Sequence, residues 1–163
     1  MVPMTISIDL GSGPIPKNPF GATKCIGIDI IEAASENILK ADLSINPIPL
    51  ATESVDFVTA FDFIEHIPRV VYNPTRRHCF VELMNEIYRV LKPGGLFFSF
   101  TPAYPNLAAF SDPTHVNIIT DETFPNYFDS KKRLARVYGF HGHFDVLSQE
   151  WQHPHLKSIL RRM

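Results

Sequence analysis

Short apolar runs, punctuated by acids and turn residues, organise this chain. Ile6, Ile8 and Leu10 alternate with polar neighbours, so residues 5–10 predict a strand with one buried face. Cys25-Ile-Gly-Ile-Asp29 predicts a second strand over 25–29, and a short third is expected over 39–42, preceded by a short helix over 33–39. Val55 to Phe61 predicts a fourth strand. From Thr75 to Leu91, Phe80, Leu83, Met84, Ile87, Tyr88 and Leu91 recur at spacings of three and four, which gives a helix with one apolar stripe. Pro93-Gly94-Gly95 stops that helix, and residues 96–101 predict a fifth strand that buries Phe97, Phe98 and Phe100. Residues 102–119, holding Pro102, Pro105 and Pro113, read as loop, and Thr120-Asp-Glu-Thr opens a short helix by its hydroxyl and early acids. Lys132 to Phe140 fits helix or strand equally, and 144–151 and 155–161 read as two closing strands. Strands joined by longer connections predict the α/β class.

The first strand ends in Asp9-Leu-Gly-Ser-Gly13. Glycines there let the backbone reverse sharply and approach a ligand, at the strand end where open α/β sheets bind ligands. A plain chain reversal needs the same residues. Two later acids change the picture, because Asp29 closes the second strand and Asp42 the third. A carboxylate accepts paired hydrogen bonds from a ribose diol, and a second accepts from an exocyclic amine. As turn caps, the same acids serve only the backbone. A dinucleotide-binding domain shares the glycine turn and the acid, but needs a helix opening at a third glycine to hold a pyrophosphate. Residues 14–24 carry Pro14, Pro16 and Pro19, so they supply no good helix there.

The ordered set resembles the class I S-adenosylmethionine-dependent methyltransferases, closely over residues 5 to 101 and loosely beyond. Asp9 to Gly13 resembles their glycine-rich first motif, Asp29 their ribose acid, and Asp42-Leu43 their adenine-contacting pair. Phe61 to Ile67 resembles the fourth-strand segment, and Arg89 to Gly95 the turn before the fifth strand. The resemblance implies a Rossmann-like, mostly parallel seven-stranded sheet with an antiparallel last strand, the helix between its first two strands shortened or missing. It implies S-adenosylmethionine (SAM) as cofactor. Gly11 and Gly13 would lie near the methionine carboxylate and ribose, and Asp29 on the ribose hydroxyls. Asp42 and Leu43 would meet the adenine, Phe61 would offer its backbone to the sulfonium end, and Asp9 would order the loop or the ammonium group. Many relatives carry a helix before the first strand as a lid. Its absence leaves the site open to a large or polymer-attached substrate, or completed by a second copy or partner subunit.

Catalytic groups are expected beyond the fourth and fifth strands, which leaves Asp62, Glu65, His66 and His115. His115 stands on a proline-stiffened loop, Asp112 to Asn117, and histidine suits proton transfer at neutral pH. The catalytic candidates are therefore His115, His66 and Glu65, with no metal. Asp62-x-x-Glu65-His66 followed by His115 is also similar to small-RNA 3′-terminal 2′-O-methyltransferases, and ubiquinone-pathway O-methyltransferases carry a similar Glu-His segment. That resemblance implies an alternative in which Asp62, Glu65, His66 and His115 hold a divalent ion. In the plainer reading Glu65 and His66 only order the loop.

Composition narrows the partners. The 163 residues are expected to form one domain over 1–163; 45% are hydrophobic and the formal net charge is −2, which argues against disorder and a polyanion-binding surface. Arg76-Arg77, Lys131-Lys132-Arg133 and Arg161-Arg162 are too scattered for a phosphate track, so nucleic acid is not expected. His141, His143, His153 and His155 flank Gly142 and Pro154 and read as turn residues. The apolar runs are too short to span a bilayer and no leader is expected, so no membrane partner is implied. Cys25 and Cys79 read as reduced thiols of a cytoplasmic protein. The expected activity is methyl transfer from SAM to a hydroxyl of a small molecule or glycan. The alternative is a SAM-binding but catalytically silent partner or regulatory subunit.

Overall fold

The computed structural model describes residues 3–32 and 35–163. In chain order its elements are β1 (Ile6–Leu10), β2 (Lys24–Asp29), β3 (Ile38–Lys40), β4 (Val55–Phe61), the two-residue strands β5 (Val71–Tyr72) and β6 (Arg76–Arg77), α1 (Cys79–Val90), β7 (Leu91–Pro102), α2 (Ala108–Ser111), α3 (Thr123–Tyr127), β8 (Phe144–Gln152) and β9 (His155–Arg162). Seven strands form one sheet in the order β3-β2-β1-β4-β7-β9-β8, and β5 pairs with β6 in a separate hairpin. Strands β3, β2, β1, β4 and β7 run parallel, whereas β9 is antiparallel to both β7 and β8. The order reverses beside β1, whose neighbours are β2 and β4, and such a switch point is where open α/β sheets take ligands.

The two faces of the sheet are covered differently. Alternation along the register sends Ile8, Leu10, Val58, Ala60 and Phe97 to one side, where all are buried in a common core with Leu83, Met84 and Ile87 of α1. The opposite side carries Ser7, Asp9, Phe57, Thr59, Phe61, Phe98 and Phe100. There the covering element is the proline-rich link between β1 and β2. Its Phe20 stacks on Phe57 at 4.5 Å and meets Phe98 edge-on at 6.2 Å. Its Lys17 ammonium lies 5.0 Å from the Phe61 ring centroid. An extended link with one aromatic and one aliphatic-cationic side chain thus stands where a crossover helix would.

Gly27, in the middle of β2, makes this seating possible. A Cβ there would fall 2.3 Å from Ser12 Oγ and 2.8 Å from Pro16 Cγ. The link crosses β2 only because that strand presents bare backbone.

Several boundaries differ from the sequence expectation, for physical reasons. Of the helix expected over 33–39, residues 33 and 34 lie outside the described residues, residues 35–37 form a turn, and Ile38–Lys40 is already β3. Pairing with β2 claims that backbone: the Gly27 N–H donates to Asn37 O at 2.8 Å and the Ala41 N–H to Asp29 O at 2.9 Å. The third strand ends at Lys40 rather than 42, because the Asp42 carboxylate takes the Ser44 N–H at 3.0 Å and turns the chain. The helix expected from Thr75 starts at Cys79, since residues 76–77 are held in the β5–β6 pair. Pro93-Gly94-Gly95 lies within β7, as an irregularity in which Val55 pairs with Leu91 but Phe57 with Leu96. Residues 102–119 include α2, and the ambiguous stretch before Phe140 forms a 3-10 turn over Leu134–Tyr138.

Gly27→Ala tests the seating of the link. The overpacked side chain is expected to cost about 1–3 kcal/mol in urea-induced unfolding. An unchanged midpoint would mean that residues 12–16 do not rest on β2.

Candidate functional site

Two clusters stand at the carboxyl ends of the central strands. The first is the turn after β1, where Gly11 and Gly13 take left-handed φ values of 64° and 59°. The Gly11 and Ser12 N–H groups both donate to Ile28 O, at 2.8 and 3.3 Å, and tie the turn to β2. A Cβ on Gly11 would fall 2.3 Å from the Phe63 ring, so this glycine serves close packing against the segment after β4. A Cβ on Gly13 would meet nothing within 4 Å, so that position faces open space.

Asp29 stands beside Gly13. Its Oδ2 accepts the Gly13 N–H at 2.8 Å and its Oδ1 the Ile31 N–H at 2.9 Å. Each carboxylate oxygen keeps a lone pair for a further donor. Asp9 is 1% exposed; its Oδ2 accepts the Lys17 N–H at 2.8 Å and its Oδ1 the Thr59 hydroxyl at 2.7 Å. Both oxygens hold protein groups, so Asp9 fastens the link to the sheet. Burial pushes its pKa above the ordinary carboxylate range, against the lowering effect of those two hydrogen bonds. Asp42 caps its own turn, and the Leu43 side chain packs into the core, which leaves only its backbone for a ligand. Phe61 is half-buried among Phe98, Phe100 and Lys17.

The second cluster follows β4. Asp62 takes a left-handed φ of 48°, and its N–H donates to Phe100 O at 2.9 Å, which turns the chain into a 3-10 turn over Ile64–His66. Ile64 and Ile67 drop into the core and carry Glu65 in with them, to 1% exposure. Glu65 Oε2 accepts the Thr101 hydroxyl at 2.8 Å, while Oε1 is buried with no hydrogen-bond partner among the described residues. Burial raises the pKa of this acid too. The loop carrying His115 docks on the same turn, with the Val116 and Asn117 N–H groups donating to Glu65 O at 2.9 and 3.0 Å. The His66 and His115 rings meet edge-on at 4.8 Å.

The hydrogen bonds fix both tautomers. Thr114 gives its only hydroxyl proton to Asp112 Oδ1 at 2.6 Å, so its oxygen accepts the proton of His66 Nδ1, 3.0 Å away. The same bond holds the Asp112 carboxyl below its usual range, so that carboxylate accepts and does not donate. His115 Nδ1 lies 3.2 Å from the Ala109 carbonyl and must donate to it. In its neutral form each imidazole therefore carries its lone pair on Nε2, and Nε2 of His115 lies 4.0 Å from Asp112 Oδ2.

The structure thus brings Glu65, His66 and His115 together, with one ligating atom from each within 4.8 Å of the others. It does not bring in Asp62, whose carboxylate is exposed and pairs with His155 Nε2 at 2.7 Å. His155, read from sequence as a turn residue, stacks on Phe100 at 4.3 Å and belongs to this rim. The β7–β9 register, which only the structure shows, sets it opposite Pro102. A cavity of about 450 Å³ lies nearby, lined in part by Arg69, His78, Asn117, Tyr127 and Tyr138. Its lining does not include the glycine turn, but Asn117 connects it to the loop that holds Glu65. Among the described residues, no helix is long and apolar enough to cross a membrane.

With this geometry in view, the profile of a family described as "Methyltransferase domain" matches residues 9–99. Solved structures share the fold. An S-adenosylmethionine-dependent methyltransferase from Mesorhizobium loti aligns with a TM-score of 0.61 at 17% identity, covering 99% of this chain and 94% of its own. A SAM-dependent methyltransferase from Archaeoglobus fulgidus aligns with a TM-score of 0.60 at 16% identity, covering 98% and 86%. The [4+2]-cyclase SpnF aligns with a TM-score of 0.63 at 14% identity, covering 97% and 74%, so the fold by itself does not fix the reaction. None of the curated proteins matches the chain in sequence.

The buried acids make stability depend on pH in a definite direction. Asp9 and Glu65 titrate higher in the folded chain than in the unfolded one. Between those two values the folded state holds more protons, so stability is full below the unfolded pKa and falls as pH rises through the folded one. Asp9→Asn keeps an acceptor for Lys17 and offers a donor to Thr59, without the charge. Urea titrations of this variant between pH 4 and 8 are expected to show a flatter loss of stability than the parent. Equal slopes for the two proteins would contradict the assignment.

Proposed function

This chain belongs to the methyltransferase domain family, and we propose that it moves the methyl group of S-adenosylmethionine onto a hydroxyl of a small molecule or glycan. One observation carries the reading. A glycine-turn cradle with an adjacent acid, and a cluster of Glu65 with the imidazoles of His66 and His115, stand after neighbouring strands of one sheet edge, a donor pole and an acceptor pole.

The residues present fit the cofactor. The open space at Gly13 admits a ligand against bare backbone, and the unused lone pairs of Asp29 suit two ribose hydroxyls. Asp42, with Oδ1 on Ser44, retains Oδ2 for an exocyclic amine, beside the backbone of Leu43. Phe61 ends β4, between the glycine turn after β1 and the turn that carries Glu65 and His66 in chain order. When bound, the cofactor supplies a methyl group on a sulfonium, which is already activated. The chain's share of the work is orientation, which can contribute much of the rate, and handling of the acceptor proton. His66 and His115 hold lone pairs at Nε2 for that purpose, each oriented through Nδ1 by Thr114 or by the Ala109 carbonyl. Glu65, fixed by Thr101, lies behind them.

Calorimetry with SAM and with its demethylated product is expected to show binding of both. Asp29→Ala should weaken each at least about tenfold, as expected for loss of a charged hydrogen-bond acceptor. Labelled SAM mixed with a cell extract is expected to pass its methyl group to a low-molecular-weight product, and His115→Ala should slow this by about 10²-fold or more. Absence of heat with either nucleoside would end the reading. Binding without transfer would leave the silent-partner alternative.

A further inference from the structure

We propose that the cavity beside α1 and α3 is a binding site for a small aromatic acid, held by Arg69 through its carboxylate. The volume of about 450 Å³ lies within the span of roughly 300–1,000 Å³ common for small-ligand sites. Its lining includes neither His66 nor His115, nor any residue of the glycine turn, so the cavity is separate from both poles described above. Phe80, Phe128 and Ala135 are buried core residues that also wall the cavity, and Phe80 meets Phe128 edge-on at 5.5 Å. His78 and Tyr138 add a second aromatic pair to the lining, with ring centroids 5.3 Å apart. Walls of this kind take a planar ring by offset or edge-on contact.

Arg69 supplies the charge. A guanidinium has five N–H donors in a fixed fork. Arg69 Nε donates to Asn117 Oδ1 at 2.8 Å, and Nη2 donates to Ile118 O. Asn117 is itself buried and held, its Nδ2 donating to Ile64 O and its N–H to Glu65 O, both at 3.0 Å. The three donors that remain on Arg69, along the Nη1–Nη2 edge, have no protein partner among the described residues. A guanidinium with that edge open takes a carboxylate by two parallel hydrogen bonds, and one already oriented by its neighbours loses little freedom in doing so. Glu122 is the acid on the same lining; it is exposed and forms no ion pair with Arg69, and its charge opposes that of the ligand.

Calorimetry on the full chain with 1-naphthoate, and with the neutral 1-naphthamide, tests the site. One naphthoate per chain is expected, with submillimolar affinity. Naphthamide should bind at least about tenfold more weakly, as expected for loss of a charge-assisted pair. Arg69→Gln should bring naphthoate down to the level of naphthamide, whereas Glu122→Gln should tighten naphthoate. In the unmodified protein, nuclear Overhauser contacts are expected from the naphthoate ring protons to the methyl groups of Val81, Ile118 and Ala135, which line the cavity. That readout needs no variant, so it decides the matter even where a substitution disturbs folding. No saturable binding of naphthoate, equal affinity for the two probes, or contacts to methyl groups elsewhere would each overturn the site. None of these measurements involves SAM, so the site stands or falls separately from the methyl-transfer reading.

Discussion

The buried Asp9 carboxylate is the interaction on which the cofactor side of this structure depends. The chain leaves β1 without a helix to carry it back to β2, and backbone polar groups on that path need partners. Asp9 supplies one from inside the sheet by accepting the Lys17 N–H, and it is itself steadied by Thr59 of the next strand. Around that bond the link lays Phe20 over Phe57 and Phe98 and runs across the bare backbone of Gly27. Burying the acid carries a desolvation penalty. In exchange, the glycine turn has a fixed path and leaves Gly13 open.

The acceptor side repeats the arrangement one strand further along. Thr101 of β7 holds Glu65 after β4, as Thr59 of β4 holds Asp9 on β1. In both places a carboxylate at the end of a central strand is anchored by a threonine from its neighbour. The difference lies in what remains. Asp9 has both oxygens engaged by protein groups, so its role is complete within the fold. Glu65 keeps one oxygen without a hydrogen-bond partner among the described residues, and its carboxylate lies close to the imidazoles of His66 and His115. That asymmetry separates a positioning acid from one suited to chemistry.

The strands were legible because alternation and acids at their ends reflect burial and position in the sheet. Ile6, Ile8 and Leu10, and Val55 to Phe61, lie within the expected strands. What sequence could not carry was anything settled by partners far along the chain. The boundary of β3 depends on Gly27 and Asp29 of another strand, and the start of α1 on the β5–β6 pairing. Glu65, His66 and His115 could be named as candidates from type and place, but their tautomers and the diversion of Asp62 to His155 follow only from packing. Gly27 and Phe63 were missed because their importance lies in space shared with Ser12, Pro16 and Gly11.

The helix-free link between β1 and β2 has a further consequence for chain length. Closing a flexible loop costs entropy that grows only with the logarithm of its length, so doubling the length adds about 0.6 kcal/mol. A half-buried aromatic such as Phe20 contributes more, about 1 kcal/mol, since full burial of such a side chain is worth roughly 1.5–3 kcal/mol. Brevity therefore stabilises this fold very little; the contacts made by Phe20 and Lys17 do more. Gly21, exposed at a turn with its N–H on Asn18 O at 3.2 Å, takes no part in those contacts. The tip at Gly21 is thus the place where the backbone can accept inserted residues at small energetic cost, and where a reporter or tether can be added without disturbing either pole.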